Sequence, residues 1–80
     1  METRMVTIGI DTHKATLAAS VIDEAGRELG ARTFGNDHRA HLDLLHWSQA
    51  FGTERRFGIE GSGSYGAGLA RLLVASDEVV

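Results

Sequence analysis

The chain has 80 residues, 42% apolar and 24% charged, with a formal net charge of −3 and no cysteine. Such a length holds one domain at most, and it buries only about 60% of its unfolded surface, so the core is small. The missing cysteines exclude a disulfide framework and a thiolate metal site, and the net charge argues against a module that grips nucleic acid mainly by its own positive field. No apolar run approaches the roughly 20 residues that cross a bilayer. Met1-Glu2-Thr3-Arg4-Met5 lacks the basic region and long apolar core of a signal peptide. A cytoplasmic protein is the expectation.

In chain order, residues 6–10 form a β-branched run that reads as a buried strand. Side chains alternate along a strand, so Val6, Ile8 and Ile10 share one face while Gly9 and Asp11 share the other. Asp11-Thr12-His13-Lys14 is a polar break. Residues 15–22 read as a second strand with Leu17, Ala19 and Val21 on one face. Asp23-Glu24-Ala25-Gly26 is a turn signal, with Gly26 able to take a positive φ. Residues 27–34 read as a weaker third strand in which Leu29, Ala31 and Thr33 alternate with Gly30, Arg32 and Phe34. These three runs predict an antiparallel meander.

Asn36 or Asp37 is an N-cap candidate for a helix over 38–51. Its apolar stripe is Ala40, Leu44, Trp47 and Phe51, widened by Leu42 and Leu45. Gly52 is the expected stop. Residues 53–56 lead into Phe57-Gly58-Ile59-Glu60, a fourth strand. A glycine-rich turn over 61–66 precedes a second helix, with Leu69, Leu72 and Leu73 facing the core, to about Ser76. Glu78-Val79-Val80 reads as the first residues of another strand. The expectation is one α/β unit over 1–80 in the order β-β-β-α-β-α, truncated as a fifth strand begins. Three antiparallel strands, a helical crossover and a strand parallel to the first open a ribonuclease H-like mixed sheet, in which the fourth strand lies beside the first.

Two tetrads organise this plan, Ile8-Gly9-Ile10-Asp11 and Phe57-Gly58-Ile59-Glu60. Each reads apolar, glycine, isoleucine, acid. Each acid closes a strand, and the glycine two residues earlier leaves space on the same face. On parallel neighbouring strands, about 4.8 Å apart, the two carboxylates converge. Paired carboxylates suit a hard cation such as Mg²⁺ and phosphoryl chemistry assisted by two metals. The plain alternative is two polar residues that end two strands.

Gly9-Ile10-Asp11-Thr12-His13-Lys14, followed by Gly58-Ile59-Glu60-Gly61-Ser62-Gly63-Ser64-Tyr65-Gly66, resembles the start of the DEDD transposases of the bacterial insertion-sequence 110 family. The resemblance covers essentially the whole chain. It implies a ribonuclease H-like catalytic domain similar to Holliday-junction resolvases, which cleaves and rejoins DNA strands. The family's first Asp and its Glu match Asp11 and Glu60. The resemblance makes both of them catalytic metal ligands, with Asp11 a direct or bridging one. The family's other two aspartates form a downstream Asp-x-x-Asp pair that this sequence does not reach, nor does it contain the family's C-terminal domain with its strand-transfer serine. An isolated 80-residue chain is therefore expected to be inactive. The resemblance further implies Mg²⁺, with Mn²⁺ as a substitute, DNA as substrate, a structured guide RNA and homo-oligomeric assembly, with no membrane partner.

Around the acids, Thr12, His13 and Lys14 could approach a phosphate or simply form a solvated turn. Ser62 and Ser64 could cap the second helix or donate to a phosphate, and capping is the simpler role. Tyr65 could pack on the sheet or stack on a base. His38, His41 and His46 do not share one helical face, which favours a solvated surface over a metal site. Trp47 reads as core, and Arg55 and Arg56 as a solvated strand entrance. Three other functions compete. Gly61-x-Gly63-x-x-Gly66 is a literal dinucleotide fingerprint, although a Rossmann unit carries it after its first strand. The Gly-Ile-Asp-Thr turn loosely fits sugar kinases and actin-like ATPases, which need a second lobe. A non-enzymatic remnant that only associates with other copies is the third.

Overall fold

A computed structural model describes residues 4–61 and 64–80. Three strands come first: β1 (Met5–Thr12), β2 (Thr16–Ile22) and β3 (Glu28–Gly35). They are followed by α1 (His38–Ser48), β4 (Glu54–Glu60) and α2 (Ala67–Ala75). The four strands make one mixed sheet in the order β3-β2-β1-β4. β1 pairs antiparallel with β2 and parallel with β4.

The meander forms because its turns are built locally. His13 N–H donates to the Thr16 carbonyl at 2.9 Å and closes the first hairpin. In the second, one Asp23 carboxylate oxygen accepts from the Ala25 and Arg27 amides, each at 2.9 Å, and the other from Arg27 Nε at 3.1 Å. Bonds from Arg27, its backbone amide above all, hold the Asp23 carboxyl below the usual carboxylate range. Gly26 supplies the positive φ of this turn, +83°.

Alternation places the core on one side of the sheet. Val6, Ile8 and Ile10 of β1, Leu17, Ala19 and Val21 of β2, Phe34 of β3 and Phe57 of β4 are all buried. They meet Leu44 and Leu45 of α1 and Leu69 and Leu73 of α2 in one cluster. Full burial of each such side chain contributes about 1.5–3 kcal/mol. Both helices thus cover the same face, and the opposite face carries Thr7, Gly9, Asp11, Ala18, Ser20, Ala31, Thr33, Gly58 and Glu60 with no covering helix among the described residues.

Four local expectations need correction. Simple alternation put Leu29 with Ala31 and Thr33, but Val21 faces Gly30 while Ile22 faces Glu28, so a bulge skips Leu29 and turns it to the core. Helix α1 stops at Ser48, capped at Gln49, rather than running to Phe51. Phe51 still joins the cluster from the following turn, its ring 4.9 Å from that of Trp47, which in turn meets Phe34 edge-on at 5.4 Å. Gly30 makes room for it, since a Cβ there would lie 2.7 Å from Phe51. Leu42 is exposed. Arg55 is no solvated entrance: Nε and one terminal nitrogen hold the two Glu78 oxygens at 3.0 and 2.8 Å, and the other terminal nitrogen donates to the Gly52 carbonyl. Arg56 is exposed.

Asp37 caps α1, its carboxylate accepting from the Ala40 amide at 2.8 Å. Where a fifth strand was expected, Val79 makes a single parallel bridge to Arg56, and its carbonyl accepts from the Phe57 amide at 2.8 Å. Among the described residues no helix is long and apolar enough to cross a membrane.

Candidate functional site

The parallel register of β1 and β4 sets Gly9 beside Gly58 and Asp11 beside Glu60. Both tetrads thus end at the same level of the sheet, at the C-terminal ends of neighbouring strands. Both acids are exposed on the uncovered face. Across β2 and β3 the row continues through Ala18 and Thr33, which face Asp11 and one another in register. Small side chains therefore flank the pair. A Cβ on Gly58 would touch nothing within 4 Å, and one on Gly9 would lie 3.8 Å from Ser20 Oγ. These glycines are not forced by packing; they leave the floor below the acids open. The result is a shallow groove of about 580 Å³ floored by small residues with the two carboxylates at one end.

His13 Nε2 lies 3.2 Å from Asp11 Oδ2, and both side chains are more than half exposed. The imidazole holds the carboxylate without removing it from water, and the contact is a true ion pair only when His13 is protonated. Lys14 is exposed in the same turn. Thr12 points the other way. It is buried, and its hydroxyl donates to the Glu60 carbonyl at 3.0 Å, tying the end of β1 to the end of β4. Its side chain is thereby turned from solvent. Gly61 follows with φ +145°, a conformation that strongly favours glycine, and a Cβ there would collide with Thr12 Oγ1. The glycine-rich turn is thus glycine-rich at Gly61 for an internal reason.

The remaining expected contacts separate. Ser64 and Tyr65 are exposed, but Ser64 does not cap α2. The N-cap is Gly66, which makes no side-chain capping bond, and the Ser64 carbonyl accepts from the Ala67 amide at 3.0 Å. A Cβ on Gly66 would lie 2.7 Å from Ile59, so this glycine also serves close packing. Ser62 and Gly63 lie outside the described residues. His38 and His46 are solvated as expected, whereas His41 is buried. Its Nε2 lies 2.7 Å from Asn36 Oδ1. Burial pushes the His41 pKa down, opposed by the Asp37 charge and reinforced by His38.

Asn36 was legible as a possible helix cap and in fact does something else. Its Nδ2 donates to the carbonyls of His13, at 2.9 Å, and Tyr65, at 2.8 Å. Nothing local in the sequence signals these partners, which are 23 and 29 positions away.

The donor set fits a hard divalent cation. Mg²⁺ takes one or two protein carboxylates and keeps several waters, and two exposed, adjacent acids over an open floor offer that. Among the described residues no three potential metal-ligating side chains cluster. Asp11 and Glu60 are the side chains that could hold such an ion.

No curated protein matches the chain. A family model for DEDD transposases of the insertion-sequence 110 type, described as a transposase, matches residues 8–80.

Proposed function

Because the chain belongs to this DEDD transposase family of insertion sequence 110, whose members as transposases cut and rejoin DNA, we propose that it forms the acid-bearing start of a ribonuclease H-like catalytic domain. Asp11 and Glu60 are its metal ligands and DNA is its substrate. The observation that carries this reading is the register: the acids of the two tetrads stand side by side at the ends of parallel β1 and β4, on the uncovered face. Thr7, Gly9, Ser20, Gly58 and Ala18 leave room for an extended backbone to approach the acids.

Asp11 and Glu60 would help hold two Mg²⁺ ions, which would supply charge stabilisation to the attacking and leaving oxygens of a phosphodiester. The chain's own part is positional. β1 and β4 fix the two carboxylates, Thr12 keeps the strand ends level, and His13 holds the Asp11 carboxylate until a cation competes for it. His13 and Lys14, with the exposed Ser64 and Tyr65 of the segment before α2, are the proposed nucleic-acid contacts. A guide RNA and assembly of several copies belong to the same proposal. The sequence contains no Asp-x-x-Asp, so these 80 residues hold two of the four acids. They are expected to bind a cation without cutting DNA.

Titration of the chain with Mn²⁺, followed by NMR, tests this. Paramagnetic broadening should centre on Asp11 and Glu60 together and vanish at both positions in Asp11→Ala. Broadening at neither acid in a folded chain would overturn the metal reading. Mg²⁺-dependent DNA cleavage by the 80-residue chain would overturn its incompleteness.

A further inference from the structure

The loops that leave the two acids are fastened to each other by one side chain. His13 is the second residue after Asp11, and Tyr65 opens the approach to α2 beyond Glu60. The Asn36 amide nitrogen spends both of its hydrogens on their carbonyls, at 2.9 and 2.8 Å. Two facing acceptors settle which end of the amide is nitrogen. The Oδ1 must then accept, and the buried His41 Nε2 at 2.7 Å is the donor. The backbone amide of Asn36 donates to the Ala15 carbonyl at 3.1 Å. One residue thereby joins the β1–β2 turn, the segment before α2, and α1. Aspartate in the same shape could not do this, because a carboxylate carries no donor for two carbonyl oxygens.

We propose that Asn36 is a positioning residue for the acid pair, with His41 as its brace. Thr12 levels the strand ends from the core side. Asn36 does so from beyond the strands, by fixing where the chain turns away after each acid. His41 donates through Nε2, so the amide oxygen is held and the amide cannot flip. The inference rests on the metal reading for its purpose, although the clamp itself is a property of the fold.

The test compares wild type with Asn36→Asp, using Mn²⁺ alone as the probe and amide hydrogen exchange as a second readout. Asn36→Asp keeps the volume and removes both donors. The expected result is a Mn²⁺ affinity at least about tenfold weaker, the lower end of what loss of a supporting partner costs a metal site. The His13 and Ala67 amides should exchange about tenfold faster, while Ile8 in the strand centre is unchanged. A merely stabilising side chain would lower the melting temperature and leave the affinity measured far below it unmoved. Equal affinity in the two folded chains would overturn the proposal. If wild type binds no Mn²⁺, the metal reading fails separately, and unchanged exchange at His13 and Ala67 then overturns the clamp. Should Asn36→Asp not fold, Asn36→Ser, which keeps one donor and no charge, is read by the same two measurements.

Discussion

The two faces of this sheet obey different rules although they share every backbone atom. On the covered face, Val6, Ile8, Ile10, Leu17, Val21 and Phe57 are packed against two helices and none is replaceable by space. On the uncovered face the residues beside the acids are small, Arg56 and Ile22 lie further along it beside Thr7, and Gly9 and Gly58 touch almost nothing. One face is shaped by what it presses against, the other by what it leaves free. The acids belong to the second kind. They cost the fold little because they remain in water, and they are held by the neighbours of the first kind that alternate with them.

The contrast can be broken from either side. The largest effect belongs to Ile8→Ala on the covered face. Removing a fully buried branched side chain costs about 2–5 kcal/mol, comparable with the whole stability of so small a domain. Chemical denaturation should show a chain largely unfolded without denaturant.

A smaller effect comes from the ionisable group that the covered side holds. His41 has its folded-state pKa lowered by burial. Between that value and the ordinary histidine pKa of about 6.5, the unfolded chain binds the extra proton. Its stabilising contribution is therefore complete above about pH 6.5 and is lost as pH falls through the folded-state value. Asp37 works against the shift, while His38, with Arg71 lining the same recess, adds positive charge. Melting temperature should fall from pH 7 to pH 5 in wild type, and fall less in His41→Gln, which retains a donor for Asn36. Equal slopes would show that His41 is not the group being titrated.

Gly58→Ala on the uncovered face should change least. Its Cβ meets nothing, and replacing glycine within a strand removes backbone freedom from the unfolded state, worth about 0.5–1 kcal/mol. The thermal midpoint should hold or rise slightly. A clear loss of stability would mean that this face is covered in solution.

Much of this division was legible in the sequence. Alternation in residues 6–11 and 57–60 assigned both tetrads to the correct faces, and the element order implied the parallel pairing of β1 with β4. What escaped was decided by distant partners. Leu29 reaches the core through a bulge that period two does not announce. His41 is buried because α2 lies over it, with Gly68 close to its ring. Arg55 is drawn from solvent by Glu78, 23 positions on. Thr12 sits one residue beyond an acid and looked like part of a polar turn, yet the chain reverses only after it. The transposase family was readable from the two motifs because their spacing and residue types are specific together, while the clamp by Asn36 had no local signal.

The bond from Thr12 to the Glu60 carbonyl joins residues 48 positions apart, and this separation orders events in time. The meander needs only neighbouring turns, so β1, β2 and β3 can associate early, with Asp11 already in place. Bringing β4 alongside closes a loop whose entropy cost is about 3 kcal/mol above a constant, and such non-local pairing is the slow part of folding. The carboxylate pair therefore arises late and at once, when β4 docks. A chain halted at the meander displays one acid and no site.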